Sequence, residues 1–286
     1  MRDLVILNKE SELLFICLVN GLDMVAIFEL VKDPYERKAR VIPGLLVSLP
    51  LLVPLLCVYG AKHPVLTSVI GLLGGCGAIY ALASVARGRG KKLEEKLLKQ
   101  WGGMPTTLAL RHRDKFLDSV SKQRYHREIS IKLQIDMPSE QDESLDPGKA
   151  DDFYIGATKR LRELTRNDKN LLLKENIAYG FHRNMVAMKD VGILSCLCGL
   201  GYGGLIAGAI RAEPPYFEPM YLVNPGLASG LTILISASLL LAWLFYFDKD
   251  AVKRMGFVYA ERLFECLGTL PTPRARKVSV KTEAQS

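Results

Sequence analysis

The sequence predicts an all-α membrane protein: four transmembrane helices arranged as two hairpins, with a mainly helical cytosolic domain between them. Three observations predict it. Residues 41–60, 65–86, 191–210 and 222–247 contain no Asp, Glu, Lys or Arg. Each is long enough to cross a hydrocarbon core of about 30 Å, which takes roughly 20 residues at 1.5 Å per residue. The charge lies between these blocks, and the polar part carries apolar residues at helical spacing. A mean hydropathy of +0.14 would not by itself separate this chain from a soluble one. The segregation does, because a single Lys or Asp at the centre of a span costs about 2.5–3.5 kcal/mol on insertion scales. A plain soluble enzyme, a disordered chain, a secreted disulfide scaffold and an outer-membrane barrel are all excluded by this pattern.

The N-terminal segment, residues 1–40, is read as cytosolic and amphipathic. Residues 13–31 are apolar but interrupted by Asn20, Asp23 and Glu29. Leu14, Leu18 and Leu22 recur every four residues, as in a helix lying in the membrane interface. No small-residue cleavage site follows, which argues against a signal peptide. Two other readings stay open: a fifth span, or a start at Met24.

The first hairpin is residues 41–86. Pro50 and Pro54 each remove a backbone donor and predict a kink in its first span. Gly71 and Gly75 in the second span, like Gly204 and Gly208 in the third, form Gly-x-x-x-Gly pairs that let helix backbones approach closely. They serve either packing within the bundle or an oligomer interface, and a homo-oligomer is expected. No ionisable residue lies in any span, which disfavours proton-coupled transport. The second hairpin is residues 191–247. Its Gly199-Leu200-Gly201 run has no preceding strand and is no dinucleotide fingerprint. Cys196 and Cys198 read as packing residues. Cys17, Cys57, Cys76 and Cys266 are scattered, so neither a zinc knuckle nor a disulfide framework is indicated.

Orientation follows from the basic residues. Of 38 Lys and Arg, the loops between paired spans hold only Lys62 and Arg211. The positive-inside rule then places the N- and C-termini and the middle segment in the cytoplasm, with both hairpin turns outside. The implied location is an inner, or cytoplasmic, membrane crossed several times. Juxtamembrane Lys and Arg imply the lipid bilayer and its anionic head groups as partners.

The middle domain, residues 87–190, is basic. Tyr125, Ile129 and Leu133 predict a helix over 121–135. Asp146-Pro147 marks the start of another that runs through Tyr154, Ala157, Leu161 and Leu164. A further helix begins near Leu171 and is expected to run into the third span, and Thr106 to Arg111 is read as a short strand. The final segment, 248–286, is read as an amphipathic helix and a basic disordered tail. The run 96–106 and the run 262–272 share a pattern of basic residue, apolar pair, Gly, Pro and Thr. That echo suggests either two parallel hairpin repeats, each extending as a helix that stops at glycine, or convergent use of Gly and Pro as a helix stop.

Two clusters in the cytosolic part are rich in groups that bind as well as solvate. The first is Trp101, with Gly102-Gly103-Met104-Pro105, and Arg111, His112, Arg113 and Asp114. The second is Glu175, Asn176, Tyr179, Gly180, Arg183 and Asn184. Gly180 inside a helix costs about 1 kcal/mol relative to Ala, which implies close approach by another group. A structural polar network and a ligand pocket are the two main readings. Arg111, Arg113, Tyr179, Arg183 and Asn184 are expected on one basic, concave site, with Asp114 and Glu175 as the carboxylates at hand. His112-Arg113-Asp114 lacks the companions of a kinase loop, and residues 88–92 are too short for a phosphate loop. The His spacing supports no metal site. No cofactor and no nucleic acid are expected.

The two clusters together resemble a set of bacterial inner-membrane proteins of unassigned function, over residues 33–193. The resemblance implies a bacterial origin and a shared cytosolic domain, and it carries no activity. The expected function is non-enzymatic: the cytosolic domain binds an anionic ligand or a cytosolic protein partner and acts on the hairpins. A membrane effector of a bacterial defence or stress system would be one instance. The alternatives are a membrane-anchored enzyme on a phosphate-bearing substrate, clamped by Arg111, Arg113 and Arg183, and a structural scaffold.

Overall fold

The computed structural model describes residues 32–60, 64–166 and 171–272, with the side chains of 59, 64–79 and 212 outside that description. The readings of residues 13–31, Met24, Gly71/Gly75 and the C-terminal tail therefore lie outside the described residues. The chain is mostly helical. A helical turn at Pro34–Glu36 and a π-helical turn at Arg37–Val41 lead into α1 (Ile42–Tyr59). There follow α2 (Pro64–Trp101), α3 (Pro105–Leu110), α4 (Ser119–Leu133) and α5 (Glu140–Leu145). Next come α6 (Pro147–Leu164), α7 (Leu171–Ala187) and α8 (Lys189–Ala207). A two-stranded antiparallel hairpin, β1 (Ile210–Ala212) and β2 (Pro215–Phe217), pairs Arg211 with Tyr216. The described residues close with α9 (Leu227–Leu241), a π-helical turn at Ala242–Tyr246, α10 (Lys249–Glu265) and a 3-10 turn at Cys266–Thr269.

Several sequence expectations are met. Asp146 caps α6 by accepting the Lys149 amide, with Pro147 at the first helical position. A helix leaves the second apolar stretch, runs to Trp101 and stops at Gly102, whose φ of 78° is the left-handed conformation of a helix terminus. Others are corrected. Thr106 to Arg111 is no strand: Pro105–Leu110 is a helix, and Pro105 opens it where the missing donor costs nothing. The all-α expectation is amended by the β1–β2 hairpin. Pro50 and Pro54, where a kink is expected, both lie inside the continuous helix α1, which a proline bends without ending. The echo is only partial, because the helix after the fourth apolar block restarts at α10, where Asp248 accepts the Ala251 amide, and Gly268 lies within a 3-10 turn.

Two compact units form. One comprises the described parts of Met1–Gln100 with Asn176–Met255. In it, α1, α8 and α9 pack against one another. Three of its helical stretches, Pro34–Val58, Lys189–Ala207 and Leu227–Tyr246, are long and apolar enough to cross a membrane. Besides apolar residues such as Val47, Cys196 and Trp243, they bury hydroxyls and leave large apolar side chains outside. Ser229, Thr232 and Ser236 are fully buried, while Leu55, Leu56, Leu194, Leu197, Leu234 and Phe245 are exposed. Apolar area on this scale faces lipid or a partner, and small residues inside let backbones approach where lipid supplies no hydrophobic drive.

The seam lies along α8. A Cβ on Gly199 would overlap Ser236 Oγ and stand 2.8 Å from Pro50 Cβ, and one on Gly203 would stand 2.7 Å from Ile233 Cγ1. Gly192 receives the face of Trp243, which is fully buried in the π-helical turn. Gly204 meets Ile210 of β1 instead, and Gly208 is the left-handed cap of α8. That Gly-x-x-x-Gly pair is therefore not a helix–helix contact within the unit. The seam is sealed by Ser229 Oγ donating to Gly203 O at 2.5 Å. Lys189 Nζ donates to Phe247 O at 3.2 Å, satisfying a carbonyl at the end of the α9 stretch.

The second unit comprises the described parts of Trp101–Glu175 and Gly256–Ser286. Its core joins Leu110, Tyr125, Ile129, Tyr154 and Leu161 to Leu263, Phe264 and Leu267. Of the faces expected from apolar spacing on α4 and α6, Tyr125, Ile129, Tyr154, Ala157 and Leu161 are buried there and Leu133 packs against them, whereas Leu164 is exposed.

Replacing Gly199 or Gly203 by Leu forces α8 from its neighbours and is expected to cost about 1–3 kcal/mol. Gly201, which has open space around it, is expected to accept Leu. Unfolding in detergent, followed by helicity, separates the three.

Candidate functional site

The first cluster sits in the second unit and begins with two glycines. Gly102 and Gly103 both adopt positive φ, and a Cβ on Gly103 would lie 3.1 Å from an Arg111 terminal nitrogen. The glycines thus leave room for the Arg111 guanidinium, which donates to Gly102 O at 2.7 Å. The same group grips Asp151 with two bonds of 2.7 Å, from Nε and Nη2. Such a fork geometry is the strong form of an arginine–carboxylate pair. Arg113 donates from Nη1 to Glu143 at 2.7 Å and from Nη2 to both Asp151 oxygens at 3.1 Å.

Glu143 is the centre of this arrangement. It is 3% exposed and accepts from His112 N at 2.7 Å, Arg113 N at 3.3 Å, Arg113 Nη1 at 2.7 Å and Tyr154 Oη at 2.7 Å. Burial pushes its carboxyl upward, but the bonds from Tyr154, His112 and Arg113 together outweigh burial and hold it below the usual value. On the other side of the segment, the buried Lys122 ammonium donates to the carbonyls of Arg111 at 2.6 Å and Asp114 at 2.5 Å. Burial draws its pKa down, against the attraction of Asp114, Glu143 and Glu140. His126 Nε2 donates to Leu110 O at 2.8 Å, and its ring meets His112 edge-on at 4.7 Å. His112 Nε2 bonds Pro138 O at 3.1 Å. The Leu110–Asp114 segment is therefore clamped residue by residue by groups from α4, α5 and α6.

The second cluster sits in the other unit. Arg183 Nη1 and Tyr179 Oη both donate to Glu94 of α2, each at 2.8 Å. Burial raises the Tyr179 hydroxyl pKa, with the Glu94 charge adding to it, so the ring stays a donor. Asn184, fully buried, donates from Nδ2 to Ala39 O in the π-helical turn at 2.5 Å and accepts from Arg183 Nε at 3.4 Å. Gly90 makes room for it, since any Cβ there would overlap Asn184 Oδ1. The close approach expected at Gly180 is supplied by Tyr35, whose hydroxyl would be 2.9 Å from an added Cβ.

The structure thus divides the expected residues. Arg111, His112, Arg113 and Asp114 belong to one unit, and Tyr179, Arg183 and Asn184 to the other. Each set is neutralised within its own unit. The carboxylates that do this are Asp151, Glu143 and Glu94, none of them expected from sequence. Asp114 reaches Arg111 only at 3.9 Å. Trp101 is half-buried at the end of α2, and Glu175 and Asn176 are half-buried in α7. Asp151 lies three residues before Tyr154 on the same face of α6, a spacing that was legible. Glu94 lies four residues after Gly90 on α2, which was not informative without knowing what Gly90 faces. Among the described residues no group of His, Cys, Asp or Glu is arranged to hold a metal ion.

Two expectations follow. Arg111→Ala strands Asp151 and Gly102 O and is expected to cost about 3 kcal/mol, the lower end for a broken buried pair because Arg113 still contacts Asp151. Chemical unfolding followed by Trp101 fluorescence in a Trp243→Phe background measures it. The second concerns pH. Burial lowers the His126 pKa from 6.5 to about 4, so the folded unit holds the neutral ring while the unfolded chain protonates it. Stability is full above pH 6.5 and is expected to fall by about 3 kcal/mol as pH drops towards 4. His126→Gln should flatten that part of the profile.

No protein-family model, no curated protein and no solved structure matches the chain.

Proposed function

We propose that the protein is a four-span inner-membrane protein of bacterial type that works by binding: its basic cytoplasmic side docks an acidic protein partner at the membrane surface and couples it to the hairpins. The observation that carries this reading is a contrast between two sets of cations. The arginines of both clusters are bound to the chain's own carboxylates, which favours a structural role for them over an anion pocket. Arg89, Lys92, Lys96 and Lys99 lie exposed along one face of α2, and none of them forms an ion pair among the described residues.

Distance argues for a macromolecular partner beyond the lipid head groups. The apolar stretch ends at Ala86. At 1.5 Å per residue, Arg89 and Lys92 lie within about 10 Å of that boundary, and Lys96 and Lys99 at about 15–20 Å. The Debye length in cells is about 8 Å, so anionic lipid acts on the first pair and is largely screened at the second. The second apolar half of the first hairpin, residues 65–86, supplies the fourth span by composition, and the positive-inside asymmetry supplies the orientation.

Reporter fusions after Lys62 and after Glu218 are expected to read periplasmic, and one after Gln141 cytoplasmic. In the full chain held in neutral-lipid nanodiscs, poly-glutamate should bind with salt sensitivity. The double variant Lys96→Glu, Lys99→Glu should weaken it about tenfold, and added phosphatidylserine should not compete. Equal binding by the variant, or a cytoplasmic reading at either hairpin turn, would refute the proposal.

A further inference from the structure

The second unit carries a groove that its polar network does not use. It encloses about 530 Å³ and is lined by Met137, Pro138, Leu145, Ala150 and Phe153, with Asp136, Asp142, Asp146 and Lys149 around them. Leu145 is 85% exposed and Phe153 38%, although both lie beside the buried Ala150 and Tyr154. With Met137, Pro138 and Phe153, Leu145 gives the groove an apolar floor on which an extended chain segment could lie. The groove is also acidic. Residues 136–152 hold seven Asp and Glu against one Lys in a chain whose net charge is +8. Glu143 and Asp151 are taken by Arg113 and Arg111, whereas Asp136, Asp142 and Asp146 are exposed at the groove.

We propose that this groove is the docking site of the chain's own C-terminal segment, residues 273–286. Two arguments converge on that occupant. The first is chemical complementarity. The segment reads Pro-Arg-Ala-Arg-Lys-Val-Ser-Val-Lys from residue 273, with Arg274, Arg276, Lys277 and Lys281 around Val278 and Val280. Two valines two residues apart share one side of an extended chain, which suits a narrow apolar floor with acidic walls. The second is where the described chain ends. Lys132 at the end of α4 donates to Leu267 O, and Leu270 packs on the same core as Ile135 and Met137. The groove begins at Asp136, four residues after Lys132. From Leu267, the nine residues to Arg276 span up to about 30 Å when extended, which is ample for that reach. Docking would shield Leu145 and Phe153 and neutralise the three exposed carboxylates.

The test uses the full chain in detergent with Leu145→Cys, and reads the rate at which a maleimide labels the thiol introduced at position 145. Labelling is expected to accelerate at least tenfold when Arg274, Arg276 and Lys277 are all changed to Glu, and likewise at about 1 M salt, where the Debye length is about 3 Å. Val120→Cys, on the exposed face of α4 and 75% exposed, is the reference and should label at one rate in both backgrounds. With Val278→Cys added to Leu145→Cys, oxidation should join the two within one chain. Equal labelling at position 145 in the two backgrounds overturns the proposal, as does a parallel change at position 120. A disulfide that forms only between chains also overturns it and assigns the groove to a second copy.

Discussion

Glu143 is 3% exposed, and its carboxylate receives four hydrogen bonds from three residues. An unpaired carboxylate buried to that extent costs several kcal/mol, so the segment that supplies the donors has little freedom to be elsewhere. His112 and Arg113 provide main-chain donors, Arg113 a guanidinium and Tyr154 a hydroxyl. Arg113 then carries the charge on to Asp151, which Arg111 grips in turn. Arg111 reaches back to Gly102 and so sets the path of the chain after α2. Helices α3, α5 and α6 are thereby tied to one point, and the apolar core of the unit closes beneath it. Lys122 and His126 hold the carbonyl side of the same segment, so the main chain from Leu110 to Asp114 is bonded on both edges.

The other unit answers the same requirement differently. Its helices hold small and hydroxyl-bearing residues inside and leucines outside, as suits a bundle whose solvent is lipid. Close backbone approach at Gly199 and Gly203 works beside an apolar cluster that includes Val47, Met185, Met188, Trp243 and Phe247. The buried Arg183 is paired: it and Tyr179 both donate to Glu94. Asn184 then ties α7 to the π-helical turn ahead of α1 by reaching Ala39 O. π-helical turns recur at functional positions in helices, and this one places a main-chain oxygen where Asn184 can use it.

These networks change what the conspicuous residues mean. Arginine, histidine and tyrosine close together in sequence suggest a pocket, yet here each is absorbed by an acid or a carbonyl of its own unit. The groups left over are plainer: a lysine row on α2, and an apolar groove ringed by aspartates. Under the docking role proposed above, surfaces built from such groups would work through charge and area rather than reactive chemistry.

Whatever depends on composition along the chain is legible from the residues alone. Uncharged blocks of about 20 residues, helical spacing on α4 and α6, the Asp146-Pro147 start and the stop at Gly102 are local signals, and each was readable. The close approach at Gly180 was readable too, because a glycine inside a helix is costly unless something needs the space. Tertiary structure alone decided the partners. Arg111 could have paired with Asp114, three residues away, but the fork geometry is met only by Asp151, forty residues on. Gly204 and Gly208 have the spacing of a helix seam, but Gly192, Gly199 and Gly203 form it, because the rotation of α8 about its axis is set by Trp243 and Ser236 on another segment. Thr106 to Arg111 looked extended by residue type and became helical because Pro105 starts a helix that buries Leu108 and Leu110. Local sequence sets what each residue can do; which partner it meets depends on groups far along the chain, and their positions are set only when the whole unit packs.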